Sequence, residues 1–498
     1  MTTQTPRCFL LLLLCIATQL HAQPPNIVLI VADDLGYGDL GCFGSTTIAS
    51  PRLDAMAREG IRLTDFYVAA PFCSPSRASI LTGRLPARCG VPYVLFPAEH
   101  HGLPADEITI ADVLRERGYA TACIGKWHLG WDEPFRPQRH GFDEFFGLPY
   151  SNDSTEWGVG EKFTQVMGLA PLPLLDGDKI VEAPADQSTL TRRYTERAVE
   201  FIRKNRERPF FLYLPHTMPH IPQYASPQFA GKSKAGLYGD VVEELDWSVG
   251  VLLDLLRELK IDERALVIFT SDNGAPARPQ QQAAKVAKAA KAGGRFPGRD
   301  LAGSNGALRG GKGTTFEGGI RVPAIFRWPK SLKAGRIIAE PISTLDLLPT
   351  IAALTGANLP ADRVRDGLDV SKDLLGDGPL PPRTLYHYFG PQLQAVREGK
   401  WKLFLPIEQL PEQRLPSLWF AHQPELFARQ HRLWPKPTLY DLSNDVGETT
   451  DVAAMNPAVV DRLSAQARDF DTRFQPAIRP IEDVHGPPPP APGEVRRE

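Results

Sequence analysis

The chain has 498 residues, room for two or three domains of ordinary size. Its 56 Lys and Arg against 58 Asp and Glu leave a net charge of −2, which excludes the basic face that nucleic-acid binding needs. Six cysteines are too few for a disulfide scaffold, and 47 prolines with 42 glycines lack the G-X-Y period of collagen, so a turn-rich globular protein is expected.

Residues 1–22 read as an export signal. Arg7 supplies positive charge, residues 9–16 are apolar, and Leu20, His21 and Ala22 form a cleavage site ending in a small residue. Cys8 and Cys15 leave with it. Export places the remaining Cys42, Cys73, Cys89 and Cys123 in an oxidising compartment. No internal run reaches the roughly 18 apolar residues of a membrane span. Beyond the leader, short apolar runs rich in β-branched and aromatic residues occur at 26–32, 120–124, 210–214 and 265–270. They read as strands buried on both faces. Between them, 190–204 and 237–260 carry apolar residues at helical spacing. The alternation predicts an α/β fold over 23–380: a large, mainly parallel sheet flanked by helices.

Each of these strands ends in polar residues. Asp33 and Asp34 follow the first, Lys126 and His128 the second, His216 and His220 the third, Asp272 and Asn273 the fourth. Ligands of open α/β sheets bind outside the carboxyl ends of the strands, so one crevice is expected to collect them. Converging carboxylates with an amide need a cation, and oxygen ligands suit Ca²⁺ or Mg²⁺ rather than zinc. Cys73-Ser74-Pro75-Ser76-Arg77 opens a further helix, with Ser74 as N-cap and Pro75 at the first position. Cys73 then lies at the positive helix end, and Arg77 one turn in can reach back to it.

Residues 283–294 form an Ala/Lys insertion, read as a solvated loop segment. Strand candidates at 385–389, 393–397 and 401–405, followed by a helix at 456–474, predict a smaller antiparallel-sheet subdomain over 381–480. The proline-rich stretch 481–498 reads as an extended tail.

From Asn26 to about Phe474 the chain resembles the type I sulfatases of the alkaline-phosphatase superfamily, closest to the arylsulfatase A and N-acetylgalactosamine-6-sulfatase branch. The resemblance rests on the Cys73–Arg77 stretch with its Leu81-Thr82-Gly83-Arg84 end, on the Asp33 run, on Gly125-Lys126-Trp127-His128, on Ser271-Asp272-Asn273-Gly274, on the Lys312 loop and on the segment holding Ser151. It implies a sulfuric ester hydrolase in which a formylglycine-generating enzyme oxidises Cys73 to formylglycine, whose hydrate is the nucleophile. It implies Asp33, Asp34, Asp272 and Asn273, with position 73, as ligands of one divalent cation, Ca²⁺ before Mg²⁺. Arg77 and Lys126 would position the diol. Lys126, Ser151, His220 and Lys312 would surround the sulfate, His220 or Lys312 would protonate the leaving alcohol, and His128 would take a proton as sulfate leaves. His216 is expected to be structural, and the Asn152 acceptor sequence incidental. Cys42, Cys89 and Cys123 allow at most one disulfide. The expected substrate is a carbohydrate sulfate, cut from galactose- or N-acetylgalactosamine-type ends, or an aryl sulfate. Tyr386, His387 and Arg397 are the candidate sugar contacts. A phosphodiesterase or phosphonate hydrolase and a non-catalytic carbohydrate-binding paralogue are the alternatives.

Overall fold

The computed structural model describes residues 24–97, 100–154, 171–276, 303–408 and 434–479. The stretch 1–22 expected to be an export signal, the Ala/Lys insertion and the stretch 481–498 lie outside the described residues.

The four expected core strands are present: β1 (Asn26–Ala32), β3 (Ala120–Lys126), β7 (Phe210–Pro215) and β8 (Ala265–Ser271), every residue buried. Before β3 comes β2 (Ile61–Tyr67), and between β3 and β7 come β4 (Glu144–Leu148), β5 (Leu174–Asp176) and β6 (Lys179–Glu182). β9 (Arg321–Arg327), β10 (Arg336–Ile338) and β11 (Ile342–Ser343) complete the sheet. Its order is β10-β2-β9-β8-β1-β7-β3-β4-β5-β6, with β11 on β2. The central pairs are parallel, as predicted, while β9 runs antiparallel to both β2 and β8. Helices cover both faces. α1 (Pro51–Glu59), α4 (Leu190–Asn205) and α5 (Gly236–Glu258) pack on one apolar core, and α2 (Cys73–Thr82), α3 (Ile110–Glu116) and α6 (Leu347–Thr355) on the other. No helix among the described residues is long and apolar enough to cross a membrane.

The C-terminal meander is β12 (Thr384–Phe389), β13 (Gln392–Glu398), β14 (Trp401–Phe404) and β15 (Thr438–Asp441), in that spatial order and antiparallel throughout. β15 was not expected from the sequence. α7 (Pro457–Phe474) lies on one face of this sheet through Leu463, Ala467 and Phe474.

Candidate active site

α2 begins two residues earlier than its cap chemistry suggests. Phe72 is the extended N-cap residue, Ser76 N–H donates to its carbonyl at 3.0 Å, and Cys73 is the first helical residue. Ser74 does not cap, because its hydroxyl accepts from Leu95 N–H at 3.1 Å. Gly83, at φ 64°, ends the helix in the left-handed conformation that glycine adopts without strain. The whole helix is buried, so the Cys73 side chain sits beneath the strand ends rather than on the surface.

The loops after β1 and β8 are tied together before they present side chains. Asp272 N–H donates to Ala32 O at 3.1 Å, Leu35 N–H to Ser271 Oγ at 3.0 Å, and Asp34 N–H to Asp272 Oδ1 at 3.1 Å. Asp34 and His128 both hold left-handed backbones, φ 66° and 59°, which non-glycine residues keep only where surroundings over-determine them.

Around Cys73 the expected residues meet. Its Sγ lies 3.5 Å from Asp33 Oδ1 and 3.4 Å from Lys312 Nζ. Lys312 also bonds Asp34 at 2.9 Å. Lys126 Nζ donates to Asp33 Oδ2 at 2.5 Å and to Ser151 Oγ at 3.0 Å. Arg77 grips Asp272 Oδ2 through Nε and Nη2 at 3.0 and 2.8 Å and donates to Lys126 O at 2.8 Å. Burial opposes the charge of Asp33, yet Lys126, His220 and Arg77 outweigh it and hold the carboxyl well below its ordinary range. Burial pushes Asp272 up to about 7, with Asp33 adding repulsion and Arg77 opposing it. The Cys73 thiol is pushed far up by burial despite Lys126 and Lys312, so an unmodified Cys73 stays a thiol and a poor nucleophile.

Two histidines flank the cluster. His128 Nε2 lies 2.8 Å from Leu95 O. A carbonyl only accepts, so the hydrogen is on Nε2 and Nδ1 keeps a lone pair. That Nδ1 is buried and has no hydrogen-bond partner among the described residues. Burial, then Lys126 and Arg77, lower the His128 pKa and keep the ring neutral. By the same argument His220 carries its hydrogen on Nδ1, 2.5 Å from Ile221 O, and turns Nε2 toward Asp34 Oδ2 at 3.6 Å. Burial and Lys312 lower its pKa, and Asp34 opposes them.

The donor set fits a metal ion. Asp33, Asp34, Cys73 and His220 each offer an atom within 4.8 Å of the others. Asn273 Nδ2 donates to Asp34 Oδ1 at 2.6 Å, which leaves Asn273 Oδ1 buried without a hydrogen-bond partner among the described residues. Asp33, Asp34 and Asp272 face Arg77, Lys126 and Lys312, so with neutral histidines the side chains balance and a divalent cation makes the crevice positive.

Not every expectation lands here. The candidate sugar contacts are corrected. Tyr386 stacks on Phe470 at 3.7 Å, His387 is buried against Tyr67, and Arg397 pairs with Asp65 and lies over the Tyr67 ring. His216 is buried, and its Nε2 lies 3.5 Å from Ser248 Oγ. Asn152 is buried too, its amide donating to Gln187 and Pro222, so it cannot carry a glycan. Cys42, Cys73, Cys89 and Cys123 are all free. The Leu95 carbonyl that sets the His128 tautomer was missed. A backbone acceptor leaves no signal in residue types.

The chain is similar to known proteins over nearly its full length. A sulfatase profile matches residues 25–357, and one for the C-terminal region of aryl-sulfatase matches 380–488. Mouse (Mus musculus) steryl-sulfatase is 39% identical, over 93% of this chain and 84% of its own. Human (Homo sapiens) arylsulfatase A is 40% identical over 91% and 89%. N-acetylgalactosamine-6-sulfatase of Canis lupus familiaris is 40% identical over 76% and 71%. The solved PsFucS1 sulfatase from Pseudoalteromonas sp. superposes with a TM-score of 0.76 at 26% identity, covering 91% of each chain. Ps i-CgsB in complex with k-i-k-neocarrahexaose gives 0.70 at 30%, covering 93% and 97%.

Proposed function

The chain belongs to the sulfatase family, and from that premise we propose that it is an exported enzyme removing sulfate from galactose- or N-acetylgalactosamine-type sugar ends, with Cys73 matured to formylglycine by a formylglycine-generating enzyme. As a family member it is a sulfuric ester hydrolase. The observation that carries the finer reading is the placement of Cys73: buried at the start of α2, between Lys312 and Asp33. The sugar class rests on N-acetylgalactosamine-6-sulfatase among the relatives and on the neocarrahexaose complex of a solved one. Walls built from short strand-end loops suit a pocket for one terminal residue rather than a groove for a polymer.

Asp33, Asp34, Asp272 and Asn273 would hold a hard divalent cation, Ca²⁺ before Mg²⁺, with position 73 as a further ligand. Bound there, it supplies Lewis-acid stabilisation of charge on sulfate and lowers the pKa of the nucleophile. Matured to formylglycine, position 73 would supply, as its hydrate, a nucleophilic oxygen for sulfur and a second hydroxyl with a removable proton. The rest falls to the side chains. Arg77 fixes Asp272 and the Lys126 carbonyl, and so sets where the carboxylate and the ammonium stand. Lys126, with Ser151 on its ammonium, and Lys312 present positive charge to the sulfate oxygens. For a weakly electrophilic ester, such preorganised charge stabilises the transition state more than any other single effect. Lys312, an ammonium at Asp34, can protonate the departing alcohol, and His220 Nε2, beside the same carboxylate, can do so only when the ring is doubly protonated. His128 Nδ1, with its free lone pair, takes the hydroxyl proton that releases sulfate.

The test has two parts. Peptide mass spectrometry of active protein should show formylglycine at position 73, and full activity with a plain thiol there would refute the maturation. Turnover is then compared on end-sulfated galactose-type oligosaccharides, internally sulfated polymers, aryl sulfate, steryl sulfate and an aryl phosphodiester. Preference for polymer interiors, or activity confined to aryl or steryl sulfates, would overturn the sugar assignment.

A further inference from the structure

A second buried ionic cluster lies where the C-terminal sheet meets the main domain. Lys402 on β14 has no solvent exposure and sits 2.9 Å from Glu317 Oε1 and 2.8 Å from Glu448 Oε1. Glu317 opens the turn Glu317–Ile320 that leads into β9. Its other oxygen accepts from Tyr67 OH at 2.5 Å and lies 3.4 Å from Arg321 Nη1, and its backbone N–H donates to Glu448 Oε2 at 2.7 Å. Arg321 and Arg397 share Asp65. Glu317, Glu448 and Asp65 thus balance Lys402, Arg321 and Arg397. Burial would raise Glu317, but Lys402 and Arg321 outweigh it and keep it below its ordinary range.

The loop that ends at Glu317 starts at Arg309 and carries Lys312. It is fastened at both ends. Arg309 Nη1 donates to Glu448 O at 2.6 Å, and Gly318 N–H donates back to Arg309 O at 2.7 Å. Thr315 Oγ1 donates to Gln394 on β13 at 3.0 Å. On its inner side the loop touches the catalytic segments. Lys312 N–H donates to Ala275 O at 3.0 Å, Gly313 N–H to Pro71 O at 2.9 Å, and Gly274 N–H to Gly319 O at 3.1 Å. A Cβ at Gly274 would stand 1.9 Å from Gly318 O, so the loop backs directly onto the residue after Asn273.

We infer that Lys402, held between Glu317 and Glu448, is a positioning residue: through it the C-terminal sheet fixes the 309–319 loop and so sets where Lys312 meets Cys73 and Asp34. The kinetic part rests on the sulfatase reading above, whereas the mechanical part does not.

The test is the double variant Lys402→Met/Glu448→Gln in the matured, metal-loaded enzyme. It removes one charge of each sign, which avoids stranding a single buried ion, and the amide that replaces the Glu448 carboxylate keeps an acceptor for the Glu317 N–H. The variant should stay folded by circular dichroism. Its kcat on an aryl sulfate should fall about tenfold with KM moved less than about twofold, because Lys312 acts mainly in the transition state. Hydrogen exchange at 309–319 should quicken by about tenfold while β1 and β7 keep their protection. A merely structural pair would instead loosen the C-terminal sheet alone, and unchanged kcat or unchanged exchange in the loop overturns the inference. Should the double variant not fold, Glu448→Gln alone should show the same split at smaller size, and the absence of that split is equally fatal. If the wild-type enzyme turns over no sulfate ester, the functional reading fails, and the exchange experiment still decides whether the clamp exists.

Discussion

The molecule buries two ionic clusters of equal balance, and they behave as opposites. At the strand ends Asp33, Asp34 and Asp272 face Arg77, Lys126 and Lys312; at the sheet junction Glu317, Glu448 and Asp65 face Lys402, Arg321 and Arg397. In the first, acceptors are left over: Asn273 Oδ1 and His128 Nδ1 have lone pairs and no donor among the described residues. The second has unpartnered atoms too, Glu448 Oε1 and His387 Nε2, but Lys402 stands 2.8 Å from that oxygen, and among the described residues only the first cluster brings metal-ligating atoms of Asp33, Asp34, Cys73 and His220 within 4.8 Å of one another. Surplus lone pairs invite a cation and a proton, while matched charges hold elements in register. Buried charge alone therefore does not mark a reactive site.

The sharpest way to break this contrast is to remove the reacting centre. Cys73→Ala should lower kcat/KM on an aryl sulfate by about 10⁴-fold or more, as expected when a covalent nucleophile is lost. Asp272→Ala should cost about 10³-fold and, if Asp272 is the ligand proposed above, also the metal, measured by elemental analysis, because it strips the partner from Arg77 as well. A variant that kept both metal and turnover would show that Asp272 belongs to the structural class of cluster.

At the junction the single change Lys402→Met should act on stability first. It leaves Glu317 and Glu448 buried without their shared ammonium, a loss of about 3–5 kcal/mol by denaturant unfolding. A loss under about 1 kcal/mol, the scale of an exposed pair, would mean the junction charges are wetter than their burial implies.

How much of each cluster the sequence revealed follows from how each is built. The site residues sit just after buried strands, in short runs such as Asp33-Asp34 and Asp272-Asn273, so their neighbours along the chain announced them. Parallel pairing of β1 with β7 and β8 then brought those runs together. The junction draws on residues 65, 317, 321, 397, 402 and 448, one or two from each element, and only tertiary packing unites them. His387 and Arg397 were misjudged for that reason. Strand patterning showed that β12 and β13 exist but not what covers their faces. One face takes α7, and the other takes Tyr67 and Phe72 of the main domain. β9 escaped for a related reason: an antiparallel strand between two others is as uniformly buried as a parallel one.

The proton-handling half of the contrast can be read from a pH profile. His128 must be neutral to accept a proton, and burial with Lys126 and Arg77 lowers its pKa. The active form therefore persists as pH falls below the ordinary histidine value of about 6.5, and kcat should drop, about tenfold per unit, only below the lowered pKa. An acid limb centred at or above that ordinary value would remove His128 from the base role.

The smallest effect tests the corrected sugar contacts. Tyr386 lies flat on Phe470, ring centroids 3.7 Å apart and 9° from parallel, on the face of β12 that α7 covers. Its ring is therefore spent on joining helix to sheet. Tyr386→Ala should cost about 1–3 kcal/mol of stability, from lost stacking and lost burial of a partly exposed ring. It should leave KM for an end-sulfated oligosaccharide within about twofold of wild type, since a contact worth a hydrogen bond or a stacked sugar would move it further. The two measurements separate the roles: a stability loss with unchanged KM keeps Tyr386 in the scaffold. A raised KM for the sugar with unchanged KM for an aryl sulfate would return it to the pocket rim and show that β12 shapes the specificity of the crevice.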